Sequence, residues 1–173
     1  MKKRLNKSIS LRLFKATFLN KQPEIHTIRL HGPWIAKVLF VDPCSDPQNL
    51  SDLDQDHRCK IPSDWSDWLG PSFRGRVAYR RSFNRPTQLD PDQKVWLVVE
   101  EVDFRAEIFL NDQRLGQTTL GEDPFRAEIH NQLAVANLIR IEIEKPNRAS
   151  CDSRAELAGG LIGSVRLEIE EPV

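Results

Sequence analysis

The stretch from Val102 to Gly116 constrains the chain more than any other, because it alternates with a period of two. Val102, Phe104, Ala106, Ile108 and Leu110 are apolar. Asp103, Arg105, Glu107 and Asn111 are polar, and only Phe109 breaks the pattern. Successive side chains of a strand point to opposite faces, so this pattern predicts a β-strand with one face buried and the other meeting water or a ligand. Asn111-Asp112-Gln113 tolerates the positive φ of a tight hairpin, and the chain returns through Leu115-Gly116. This is expected to be the central strand of the fold.

Further strands are legible on both sides of it. Ser8 to Phe14 alternate, as do Thr27 to His31, and Gly32-Pro33 turns the chain into Trp34–Val41. Asp42 to Asp56 lacks periodicity and reads as a surface loop. Val77 to Phe83 place Val77, Tyr79, Arg81 and Phe83 on one side. Val95 to Val99 are apolar at every position, which predicts a strand covered on both faces. Phe125, Ala127 and Ile129 alternate, and a helical turn is expected near Asn131 to Leu133. Ile139, Ile141 and Ile143 alternate, as do Val165, Leu167 and Ile169. No segment carries a helical stripe longer than two turns. Many short strands between Gly, Pro and Asn turns predict an all-β, antiparallel sandwich or barrel. At 173 residues the chain is expected to be a single domain over 1–173.

Charge narrows the partners. Lys plus Arg and Asp plus Glu are 25 each, so no net field recruits nucleic acid or an anionic membrane. Met1-Lys2-Lys3-Arg4 resembles the start of a leader, but Lys7, Arg12 and Lys15 interrupt every apolar run behind it. No stretch approaches the ~20 apolar residues needed to cross a bilayer. A cytoplasmic location is expected, unless the start codon is misplaced and a leader is missing. Cys44, Cys59 and Cys151 are widely spaced and form no CxxC pair, so they are read as reduced, small side chains rather than a disulfide framework or zinc site.

From Trp68 onward the order of features resembles the N-terminal sugar-binding domain of glycoside hydrolase family 2 enzymes, the β-galactosidases and β-glucuronidases. The resemblance rests on Phe73 to Phe83, on Val102 to Asn111 with Leu115-Gly116, on Asp123-Pro124-Phe125, on Asn137 to Ile141, and on Gly159-Gly160-Leu161-Ile162. It covers roughly residues 60 to 170. It implies a jelly-roll β-sandwich of the galactose-binding-domain type. Glu101 stands where the family often has Gly, Asn111-Asp112 where it usually has Asn-Gly, and Gly160-Leu161-Ile162-Gly163 where it closes with Gly-Ile-Trp-Arg. The family continues past this domain into an immunoglobulin-like domain and a catalytic (β/α)8 barrel that supplies its paired glutamates. The chain stops at Val173, so no catalytic residue is carried over, and an enzyme acting alone is not expected.

The residues agree with that expectation. Glycosidases flank the scissile bond with two carboxyl groups ~5 to 9.5 Å apart. Glu168 and Glu170 alternate outward from their strand and read as a solvated face; Glu100-Glu101, at the end of an apolar strand, is the more interesting pair but is not read as catalytic. Asp52-x-Asp54-x-Asp56 begins like a calcium loop, but His57 and Ser63 stand where Gly and Glu are required, which excludes an EF-hand. No metal or other cofactor is expected, although a structural calcium is compatible with this acidic loop. The histidines show no metal-ligand spacing, and no serine sits in a GxSxG elbow.

A sugar site needs an aromatic ring for the apolar face of a pyranose and charged or amide groups for its hydroxyls. Trp65, Trp68 and Phe73 lie in one loop with Asp64, Asp67 and Arg74, and Asp103, Arg105 and Asn111 occupy the outward face of the alternating strand and its turn. The candidate carbohydrate-binding set is therefore Trp65, Asp67, Trp68, Phe73, Arg74, Asp103, Arg105 and Asn111. The competing expectation is that Trp65 and Trp68 plug the edge of the core and that Arg74 or Arg80 pairs with a nearby acid. The function expected is a non-catalytic carbohydrate-binding module. The alternatives are a module that docks a separately encoded hydrolase or another copy of itself, and a truncated piece of a larger hydrolase.

Overall fold

The computed structural model describes residues 23–43, 45, 53–146 and 159–172. The alternating segment Ser8 to Phe14, Cys44, Cys151 and Asp52 lie outside the described residues. Among the described residues there are twelve strands: β1 (Ile25–Arg29), β2 (Trp34–Val41), β3 (His57–Cys59), β4 (Ser63–Asp64), β5 (Gly75–Asn84), β6 (Lys94–Val99), β7 (Arg105–Leu110), β8 (Gln113–Thr119), β9 (Phe125–Glu128), β10 (Ala136–Lys145), β11 (Gly160–Leu161) and β12 (Val165–Glu170). An α-helical turn, α1 (Ser66–Leu69), precedes β5, and a 3-10 turn at His130–Gln132 precedes β10.

All pairings are antiparallel. One sheet has the order β1-β12-β6-β9 and the other β3-β2-β5-β10-β7-β8, with the short pair β11-β4 beside them. The fold is thus a galactose-binding-like β-sandwich. The inner faces come directly from the period-two rows. Ile139, Ile141 and Ile143 of β10 are fully buried between Val77 and Tyr79 of β5 and Ala106, Ile108 and Leu110 of β7. Val95, Leu97 and Val99 of β6 and Val165 and Leu167 of β12 supply the opposing layer. Burial of each large aliphatic side chain contributes about 1.5–3 kcal/mol, so this interleaved core dominates the stability.

The structure departs from the sequence expectations in three places. The alternation over 102–110 is not one strand: β7 begins only at Arg105, because Phe104 sits at φ +72 and turns the chain. The reversal carries Asp103 into the protein instead of onto an outward face. β7 is also not central; it lies next to the edge strand β8, and β5 and β10 occupy the middle of the six-stranded sheet. Finally, the outer row of β6 is covered at Val98 but only partly at Trp96. Trp96 lies there half-buried, donating its indole N–H to Glu170 (2.8 Å) beneath the Arg126 guanidinium, 4.2 Å from the ring centre. Other expectations hold, including β2, β5, β10, β12, the turn after Ile129, and the hairpin, where Asn111 and Asp112 adopt φ +50 and +65.

Candidate functional site

Trp65 ends up in the core. Its ring is fully buried and meets Phe73, also fully buried, edge to face at 5.4 Å between ring centres. Gly159 runs directly against the Trp65 ring, where a Cβ would clash with it, so the absence of a side chain at 159 is what lets the indole close the sandwich edge. Neither ring presents a face to a ligand. Trp68, at 5 % exposure, is capped by the imidazole of His57, stacked parallel at 4.6 Å. The core-plug expectation holds for both Trp65 and Trp68, which belong to the buried core with Phe73, although Trp68 also lines a cleft beside its histidine partner.

The polar candidates separate. Arg74 folds back on its own turn, donating from Nη1 to the carbonyls of Pro71 (2.8 Å) and Phe73 (2.7 Å), and its backbone N–H donates to the Ser45 hydroxyl. Asp103 is buried against Lys145, with the ammonium 2.7 Å from its carboxylate, so it does not face outward as expected. Asn111 is consumed by the hairpin: its Oδ1 accepts the Leu138 N–H at 2.9 Å, and its Nδ2 donates to the buried Asn137. Arg105 is exposed and donates to Gln117 at 3.1 Å. It lies on β7, four strand positions from β3, a separation of roughly 19 Å at ordinary strand spacing.

Asp67 and Trp68 are the two candidates that converge. The edge strand β3, β4 and α1 enclose a cleft of about 380 Å³ into which His57, Lys60, Asp64, Asp67 and Trp68 project. α1 is positioned by Asp64, which accepts the Ser66 backbone N–H at 2.8 Å and the Ser66 hydroxyl, and by Leu69, whose N–H donates to the Trp65 carbonyl. The cleft therefore combines carboxylate acceptors, an ammonium donor and an apolar imidazole–indole stack. Cys59 also lines it, and burial pushes its thiol pKa up, which favours the unreactive protonated form. Sequence reading missed His57 and Lys60, because β3 is only three residues long and carries no periodicity.

Several carboxylates elsewhere are held by arginines. Glu168 pairs with Arg126 and Arg166, Glu170 with Arg126, and Glu100 with Arg166. Asp56, from the acidic loop, pairs with Arg80 at 3.0 Å, which also meets the expectation of an acid partner for Arg80. Among the described residues, no three His, Cys, Asp or Glu side chains are grouped as metal ligands, and no helix is long and apolar enough to cross a membrane.

Residues 65–166 match the model of the glycosyl hydrolase 2 galactose-binding domain-like family, and the chain belongs to that family. No curated protein sequence matches the chain. Among solved structures it is similar to an FMN-binding β-glucuronidase from Faecalibacterium prausnitzii L2-6 (TM-score 0.67, 19% identity, covering 85% of this chain and 23% of that one). It is also similar to the Bifidobacterium dentium β-glucuronidase complexed with coumarin-3-O-glucuronide (TM-score 0.63, 18%, covering 87% and 30%). A Bacteroides uniformis β-glucuronidase gives TM-score 0.64 at 17% identity, covering 84% and 18%. At these identities the likeness establishes the fold. The chain spans less than a third of the length of each of these three proteins.

Proposed function

We propose that the protein is a non-catalytic carbohydrate-binding module and that the cleft between β3 and α1 is its sugar site. The observation that carries this reading is the convergence of Asp67 and Trp68 with His57, Lys60 and Asp64 around about 380 Å³, within the range of small-molecule sites. A pyranose laid against the imidazole edge would have Asp64 and Asp67 to accept its hydroxyl protons and Lys60 to donate. Isothermal titration with a panel of neutral monosaccharides and oligosaccharides tests the reading, with the intrinsic tryptophan signal as a second readout. A saturable, sugar-specific response at millimolar ligand is expected. Asp67→Ala weakens it by about tenfold or more, because a hydrogen bond to a charged group contributes ~1.5–3 kcal/mol. A flat response from a folded protein overturns the site.

A second reading rests on a separate observation. β3 pairs only with Trp34, Ala36 and Ile35 between them, leaving the rest of β2 with no strand on that side among the described residues. Leu39 and Phe40 lie on this stretch at 49 % and 55 % exposure. Exposed apolar side chains on an open strand edge favour docking of another protein, either a separately encoded hydrolase or a second copy. Light scattering of the wild type against Phe40→Asp distinguishes self-association from a monomer.

A further inference from the structure

His57 is the group of the β3–α1 cleft whose charge the sugar reading does not use. It starts the edge strand β3, held by the antiparallel pairing of its backbone with Ala36 of β2. One face of its imidazole lies on Trp68, 2° from parallel at 4.6 Å, and the residue as a whole is half-buried. Neither ring nitrogen has a hydrogen-bond or ion-pair partner among the described residues, and neither is sealed from water. No protein group there fixes its proton. Around it, Asp64 and Asp67 come from β4 and α1, and Arg58, Cys59 and Lys60 from β3 and the residue after it. Asp56, just before β3, is engaged by Arg80. Beyond Ala36, in register with it on β5, stands the fully buried Tyr79, whose phenol is pushed far up by burial. Burial raises the Cys59 thiol as well. Carboxylates, ammonium and guanidinium groups hold their charge between about pH 5 and 8, whereas an imidazole changes its own there. Among the described residues of the cleft, His57 is therefore the one that changes charge in that interval.

We infer that His57 is the proton-sensitive element of this cleft: the neutral imidazole admits a neutral sugar, and protonation releases it. The inference rests on the carbohydrate-binding reading above. Two effects act in the same direction. A pyranose seated against the imidazole strips water from a ring already covered on one face by Trp68, and loss of water disfavours the charged form. The sugar's hydroxyls also engage the Asp64 and Asp67 carboxylates, whose negative charge otherwise favours an imidazolium in the same cleft. The stack on Trp68 favours the cation in the free and the bound protein alike, so it does not set the sign. Binding therefore expels a proton from His57. By linkage, affinity falls as pH drops through the imidazole range, by up to about tenfold per pH unit.

The test is calorimetric titration with glucose and galactose at about pH 5.5 and about pH 7.5, on either side of the imidazole range, at constant ionic strength. The wild type is expected to bind about tenfold more weakly at the lower pH. His57→Phe keeps a ring on Trp68 and is expected to bind equally at both. His31 approaches the same region, its carbonyl accepting the Ile61 N–H, and His31→Gln is expected to keep the wild-type dependence. The wild type alone supplies a second measurement. The His57 ring C–H signal, followed by NMR against pH, is expected to titrate at lower pH in saturating sugar, and an unmoved or raised midpoint overturns the inference. Sugar binding of equal strength at both pH values, or a dependence that survives His57→Phe, also overturns it and leaves the sugar site standing. Absence of binding at both pH values, from a folded protein, overturns the site itself and this inference with it.

Discussion

At the scale of single residues, the buried Asp103–Lys145 pair is the most consequential contact outside the apolar core. Both side chains lie almost out of water, at 11 % and 5 % exposure, with 2.7 Å between charged atoms. Two charges removed from water compensate each other only while both are present. Lys145→Ala is therefore expected to cost about 3–5 kcal/mol in urea denaturation, whereas the double variant Asp103→Leu, Lys145→Met stays within about 2 kcal/mol of wild type. The same reasoning separates the tryptophans. Trp65→Ala removes a fully buried ring from a tightly packed edge and is expected to cost about 3–5 kcal/mol. Asp67→Ala, in the cleft, leaves stability within about 0.5 kcal/mol while acting on ligand binding.

At the scale of elements, the β7–β8 hairpin depends on two residues in the left-handed region. Asn111 is suited to it chemically, because its amide bonds Leu138 and Asn137 across to β10. Asp112, at φ +65 and with 84 % of its side chain exposed, contributes mainly by tolerating the conformation. Asp112→Val places a β-branched residue there and is expected to cost about 1–2 kcal/mol, read as a shift in the denaturation midpoint. Asp112→Gly should leave the midpoint within about 1 kcal/mol, since the glycine gains left-handed freedom but loses entropy on folding. The arginine and glutamate rows of β5 and β10 serve the six-stranded sheet in a different way. Arg76 bridges Glu142 and Glu144, and Arg140 pairs with Glu142 while lying 3.9 Å from the Phe109 ring centre. The Arg76 pairs to β10 and the Arg140–Phe109 contact to β7 cross between strands and hold register.

For the whole molecule, acid sensitivity is set by carboxylates that tie separate segments together. Glu100, at the end of β6, accepts from Ser164, and the Arg166 charge lies beside it; these contacts, the Ser164 hydrogen bond foremost, hold its pKa below the usual carboxylate value. A carboxyl depressed by folding stabilises the protein fully above its unfolded pKa near ~4.3, and the contribution is lost as pH falls through the lower folded value. Glu100→Gln is expected to flatten the acid limb of the melting curve below about pH 4 and to leave the limb above about pH 6 unchanged in slope. The effect is small, because the carboxylate is nearly half exposed and screened by solvent. Differential scanning calorimetry across that range measures it.

The alternating rows at Ile139–Ile143, Val165–Ile169 and Val77–Tyr79 were enough to establish an antiparallel sandwich, because a period of two can bury one face only in a strand. Asn111-Asp112 marked the hairpin for the same local reason. What local pattern could not carry is where a chain bends and which loop residues meet. Phe104 takes a positive φ that no alternation signals, and this single turn sends Asp103 inward to Lys145, 42 residues away in sequence. An aromatic-rich loop reads equally as a ligand platform or as a core plug. Trp65, Phe73 and Trp68 became core, Trp68 also the wall of a cleft, only through contacts such as those with Gly159 and His57. The β2–β5 ladder stops at Ile35–Arg80, a matter of register between segments about 45 residues apart that no window of sequence contains.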